Sequence, residues 1–261
     1  MDLAERKVKR RKRVVAHHFD PALLFKSMRS FPKLEEMKES QVLQALVVAL
    51  RVDSFRRSSD IAQILTNGIT FSFRSKRDKW PQEAVVPMKV KESAKRASMI
   101  KYIRVFGYRD ARFSTPALLK RYKAIVWDSK RRVTCSKKFK IEDEDGKLHP
   151  PLLVEPGGNT LVRTPLKAGR LSDMMFGWMN QAGIVTSRQD KMRGASSHDL
   201  CGAAPSKLVN LGKPKKEVAG SRWAVVDTFD KRYFRQQKFP ERWKERAAKM
   251  SKEEILRTIF R

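Results

Sequence analysis

The chain has 261 residues, with 58 Lys or Arg against 28 Asp or Glu, a formal charge of +30 and a pI near 10.5. That balance excludes an ordinary surface, where both signs mix toward a small net charge, and points to a polyanionic partner. Hydrophobic residues at 41 % exclude a wholly disordered chain, and the length sets one to two domains.

The first stretch is a cationic arm, residues 1–18, containing Arg6, Lys7, Lys9, Arg10, Arg11, Lys12 and Arg13. Seven like charges repel one another, so the arm is expected to order only against a polyanion. Charge continues beyond it: residues 1–18 carry a net +5, residues 19–130 +12 and residues 131–261 +13. The arm is therefore the densest part of a basic surface that runs the whole length. With two cysteines, Cys135 and Cys201, no disulfide framework is expected. No apolar stretch nears the roughly 20 residues of a membrane span, and no apolar segment follows the arm as in a secretory signal.

A helical body is expected over residues 19–130. Asp20-Pro21 reads as an N-cap with proline at the first helical position, opening a short helix through Met28 that Phe31-Pro32 stops. Leu34 to Val52 is the strongest helix, and its run Val42–Leu50 is apolar nearly all round, which places the core there. Ser59 or Asp60 caps a helix with Ile61, Ile64 and Leu65, ended by Asn67-Gly68. Ile69 to Phe73 alternates as a strand. Residues 74–88 read as a polar connector, and Lys89 to Phe106 as a helix with Val90, Ala94, Ala97, Ile100 and Ile103 inward. Thr115-Pro116 opens another helix, with Leu118, Leu119, Tyr122, Ile125 and Val126 packed and Lys130, Arg131 and Arg132 in its last turn.

From Arg132 the period becomes two, so residues 131–165 are expected to hold a β-hairpin turning at Asp145-Gly146, with Pro150-Pro151 confining the return strand to an edge. Residues 166–221 read as a Met-rich helix, Ser172 to Ala182, followed by an extended Gly/Pro/Lys-rich segment, Thr186 to Ser221. Residues 222–261 read as a late strand at Trp223, a basic-aromatic segment through Trp243, and a terminal helix capped by Ser251-Lys252-Glu253-Glu254. The expected fold class is α+β: a helix-rich globular body, a small antiparallel β-hairpin and long irregular basic extensions.

No phosphate loop, dinucleotide fingerprint, nucleophile elbow or HExxH motif is present. Glu142-Asp143-Glu144-Asp145-Gly146 lacks the alternating ligands of a calcium loop and reads as a turn. Cys135, His149, His198 and Cys201 supply zinc-type donors, but no CxxC or HxxxH pair anchors them. No catalytic residue, cofactor, metal or small-molecule substrate is assigned, and the chain is expected not to be an enzyme. Binding remains. Phosphates need cations in number, and guanidinium also stacks and forks. The candidate RNA contacts are the arm cations together with Arg56, Arg57, Arg74, Lys76, Arg77, Lys130, Arg131, Arg132, Lys137, Lys138, Lys213, Lys215, Lys216, Arg232 and Arg235.

With its basic body, cationic arm, Gly/Pro/Lys-punctuated extension and terminal helix, the chain resembles a ribosomal protein. Its Trp and Met content is closest in character to the accessory proteins of mitochondrial ribosomes. The resemblance is one of composition and architecture, and it implies a structural component that neutralises ribosomal RNA phosphates and bridges neighbouring proteins. The alternative is a viral nucleocapsid or matrix-type packaging protein. The implied compartment is the mitochondrial matrix, while Lys9-Arg10-Arg11-Lys12 equally matches a nuclear signal, and a cytoplasmic site also fits.

Overall fold

The computed structural model describes residues 20–91, 98–128, 134–136, 140–143, 145–157, 162–191, 194–197, 199–220, 239–251 and 254–255. The fold is α+β, with a three-stranded and a two-stranded antiparallel sheet among helices. The helices are α1 (Ala22–Ser27), α2 (Glu39–Ser54), α3 (Ser58–Ile61), α4 (Thr115–Val126), α5 (Ala168–Gln181), α6 (Leu200–Asn210), α7 (Lys215–Gly220) and α8 (Glu241–Ala248). The strands are β1 (Thr70–Ser72), β2 (Glu83–Lys91), β3 (Ser98–Phe106), β4 (Ile141–Glu142) and β5 (Leu148–His149). No helix among the described residues is long and apolar enough to cross a membrane.

The centre is α2. Val42, Leu43, Leu46, Val48, Ala49 and Val52 are all buried, because the helix packs against α4 on one side and against α6 and β3 on others. It starts later than its sequence suggests, at Glu39, where the Gln41 side chain accepts the Lys38 backbone N–H at 3.0 Å. It ends on Phe55, whose left-handed backbone (φ 55°) is held by the buried ring. The opening helix forms as expected, with Asp20 Oδ1 accepting the Ala22 N–H at 3.0 Å.

Several expectations are corrected: α3 ends at Ile61, leaving Ile64 and Leu65 to bridge Met88 and Pro151, and β2 begins at Glu83, inside the expected connector. Residues 89–106 are not a helix: β2 and β3 form a long hairpin in which Glu83 lies opposite Phe106 and Val90 opposite Met99. Ala84, Val86, Met88, Val90 and Val105 share the buried face, so a period of two wins over the helical stride. Pro87 is tolerated because its carbonyl accepts the Leu65 N–H at 3.0 Å. Its missing N–H faces that same side and leaves the β3 ladder intact. Nor are the described residues between 186 and 220 an extended segment, since they hold α6 and α7. Asp199 closes the start of α6 by accepting both the N–H and the hydroxyl of Ser196, and Cys201, Ala203, Ala204 and Leu208 are buried. Gly194 marks a close approach rather than a flexible joint, since a Cβ there would stand 2.0 Å from the Thr186 carbonyl oxygen.

The turn of the β4–β5 pair is at Gly146 (φ 76°), and Pro151 after it bridges Leu65. Leu152, Leu153 and Val154 are fully buried, so this return segment belongs to the core. Tyr122 of α4 secures it. Its hydroxyl accepts the Val154 N–H at 3.2 Å and stands 3.3 Å from the Val154 carbonyl. Burial pushes the Tyr122 phenol well above its ordinary value. The folded chain thus holds this proton more tightly than the unfolded one, so stability is full below about pH 10 and falls as pH rises further. Tyr122→Phe should cost about 1 kcal/mol at neutral pH and flatten the alkaline fall. Urea unfolding at neutral and alkaline pH checks both.

Candidate nucleic-acid interface

The β1–β2 connection, residues 73–82, carries Arg74, Lys76, Arg77 and Lys79 but a single acid, Asp78. That acid is used inside the loop. Its Oδ2 accepts the Ser75 N–H at 2.9 Å, while the Asp78 N–H donates to the Ser75 carbonyl at 3.1 Å and the Arg77 N–H to Ser75 Oγ at 3.2 Å. These bonds preform a turn on which Arg74, Lys76 and Arg77 are exposed, and no acid pairs with them among the described residues. The loop therefore presents cations without paying much ordering entropy on binding.

Lys120 of α4 fastens the loop to the body. Its ammonium donates to the Lys79 carbonyl at 3.0 Å and lies 4.8 Å from the Phe73 ring centre and 5.9 Å from that of Trp80. Lys79 pairs with Glu35 and holds that carboxyl below the usual carboxylate range. Phe73 remains 41 % exposed. The result is a cluster in which aromatic rings and cations alternate, able to hold phosphates and to contact bases.

A different kind of cation sits in the interior. Arg51 is 1 % exposed. Its guanidinium donates to Ser58 Oγ at 2.8 Å, to the Ser197 carbonyl at 2.5 Å and to Cys201 Sγ at 3.3 Å. No carboxylate pairs with it among the described residues, and its Nε lacks a partner there. It joins α2 to α3 and to the start of α6 through neutral groups alone. The Cys201 thiol in turn donates to the Arg56 carbonyl at 3.0 Å. Arg112 and Arg163 are also internal ties: Arg112 clamps the Arg29 and Phe31 carbonyls, and Arg163 pairs with Glu39 at 3.1 Å.

The expected contacts are thus sorted. Arg74, Lys76 and Arg77 come together on one loop. Lys215 and Lys216 are exposed in α7, with Lys213 half-buried just before it, and Arg57 is exposed between α2 and α3. Arg56 is partly buried, and desolvation pulls its pKa down. The arm cations Arg6 to Arg13, together with Lys130, Arg131, Arg132, Lys137, Lys138, Arg232 and Arg235, lie outside the described residues, as does the expected strand at Trp223.

Of the zinc-type donors, His198 lies outside the described residues. Cys201 is engaged with Arg51 and Arg56. His149 Nε2 sits 2.5 Å from Asp143 Oδ2, whose carboxyl is held below its usual range chiefly by that bond. Asp143 also accepts the N–H groups of Asp145 and Lys147 at 3.0 and 2.8 Å, so the acidic cluster builds the turn. Sequence reasoning missed Lys120 and Phe73, since only the fold brings α4 beneath the β1–β2 loop. It also missed α8, which with Lys207 and Phe239 borders a cavity of about 310 Å³.

No family model and no curated protein matches the chain. Among solved structures it is similar to the Tn1549 transposon integrase in complex with a circular intermediate DNA, at 9 % identity and a TM-score of 0.49. The match covers 95 % of this chain and 70 % of that one. That neighbour is described as an integrase, against the expectation of a chain that is not an enzyme, and that expectation is not carried further. A likeness of this degree carries neither activity nor substrate across.

Proposed function

We propose that the chain binds nucleic acid through its phosphates, and that its partner is RNA within a large ribonucleoprotein, where it neutralises charge and bridges neighbouring proteins. The observation that supports this reading is the β1–β2 loop, whose only acid is consumed in shaping a turn that exposes Arg74, Lys76 and Arg77. The net charge of +30 supplies the long-range attraction that brings a polyanion to it. The arm adds reach. The ribosome of an organelle, with the matrix as compartment, is the assembly that the composition favours.

Sedimentation of the native protein through a sucrose gradient, with and without ribonuclease, tests this reading. The expected result is co-migration with a large particle and a shift to light fractions after ribonuclease. Migration as a small species under both conditions would contradict it. Regular oligomers formed on any added RNA would replace it with the packaging-protein reading.

A further inference from the structure

The outer face of the three-stranded sheet faces away from the core. Alternation puts Ala84, Val86, Met88, Val90 and Val105 inward, so Glu83, Val85, Pro87, Lys89, Ile100, Tyr102, Arg104 and Phe106 share the other side, where Pro87 opposite Tyr102 is itself buried. Tyr102 is 67 % exposed there, more than any other large apolar side chain among the described residues. Two residues on, the Arg104 guanidinium lies 5.8 Å from the Phe106 ring centre and is oriented by Glu83, with its Nε and Nη2 both 2.7 Å from Oε1. A tyrosine, a flat oriented guanidinium and a phenyl ring therefore follow one another along β3. Tyr102 and Phe106 stand about 13 Å apart by strand rise.

The register fixes what lies beyond this row. Ser72 opposes Glu83, and Glu83 opposes Phe106, so the loop bearing Arg74, Lys76 and Arg77 leaves the sheet at its Phe106 end. The acid on this face, Glu83, is already engaged by Arg104, while the Lys89 ammonium donates to the Glu142 carbonyl at 2.5 Å. An occupant must therefore offer flat apolar faces to the rings and negative charge to the loop. Unpaired nucleotides offer both, whereas a duplex hides its base faces in the stack.

We infer that this sheet face is a stacking platform for unpaired nucleotides, with bases on Tyr102 and on the Arg104–Phe106 pair and the following phosphates on the β1–β2 loop. The inference rests on the nucleic-acid reading above and narrows it to single-stranded segments.

The test uses the full chain and fluorescein-labelled oligonucleotides of one sequence, single-stranded and as a duplex, each titrated by anisotropy. Wild type should prefer the single strand. Tyr102→Ala should weaken single-strand binding about tenfold and leave duplex binding unchanged, while Tyr102→Phe keeps the wild-type preference. Matching thermal unfolding of wild type and both variants confirms that the exposed site has been altered without loss of fold. If wild type binds both forms and Tyr102→Ala changes neither, or changes both alike, the platform is refuted and the phosphate-binding reading stands. If wild type binds neither form, the phosphate-binding reading itself falls. Concentration-dependent self-association that Tyr102→Ala abolishes, with nucleic-acid affinity unchanged, would assign the face to a second copy of the chain and also refute the platform.

Discussion

Replacing Arg51 by alanine is expected to cost the fold about 3 kcal/mol, and replacing it by methionine less than about 1.5 kcal/mol. Alanine opens a cavity where the long stem was packed and leaves the Ser197 carbonyl buried without its guanidinium donor. Methionine also loses that bond, but its flexible side chain refills most of the volume. Both variants remove a buried positive charge that no carboxylate among the described residues neutralises, and in each this offsets part of the lost bonding. Ser58 and Cys201 are less affected, because Ser58 Oγ keeps the hydroxyl of Ser172 at 3.2 Å and the Cys201 thiol keeps the Arg56 carbonyl. Urea unfolding of the two variants, compared at equal slope, checks the difference. A methionine variant as unstable as the alanine one would mean that refilling the volume restores nothing, since both variants lose the charge and the three hydrogen bonds alike.

The larger functional effect is expected from the β1–β2 loop. Changing Arg74, Lys76 and Arg77 together to glutamine should weaken single-stranded RNA binding on the order of a hundredfold at about 0.1 M salt. Each phosphate neutralised on a single strand contributes about 0.7 to the logarithmic salt slope, so three lost contacts remove about two units. The loop should keep its shape in this variant, since Asp78 and Ser75 hold it through backbone N–H groups that the substitutions leave in place. The effect is therefore one of charge rather than of folding.

What could be read from the sequence follows from how much each segment depends on distant partners. Val42–Leu50 admits only a buried helix, and the Thr115-Pro116 start with its apolar stripe is likewise local information. Ser251 and Glu254 form the expected capping box, with Ser251 N–H to Glu254 Oε2 at 2.6 Å and Glu254 N–H to Ser251 Oγ at 3.1 Å. The β2–β3 hairpin was hidden for a physical reason. Val90, Ile100 and Ile103 fit a helical stride, and Pro87 argues against a strand until the Leu65 bond shows which side it faces.

Helix α6 was hidden in a similar way. Gly202 and Pro205 read as breakers, yet the helix is held by burial of Leu200, Cys201, Ala204 and Leu208, contacts that no local pattern reveals. Charge was legible only in total. The sequence showed that cations were in excess but not that Arg51, Arg112 and Arg163 are internal ties while Arg74, Lys76 and Arg77 share one preformed loop. That division depends on which groups the fold brings within hydrogen-bonding reach.

Affinity against salt is the most direct test of phosphate binding. The full chain and its Arg74, Lys76 and Arg77 triple-glutamine variant would be titrated against a labelled single-stranded RNA of about 20 nucleotides from roughly 50 to 300 mM salt. The expected result is a straight log–log line for the wild type and a line shallower by about two units for the variant. Parallel lines of equal affinity, or no binding by the wild type at low salt, would contradict the assignment of the loop as a phosphate-binding surface.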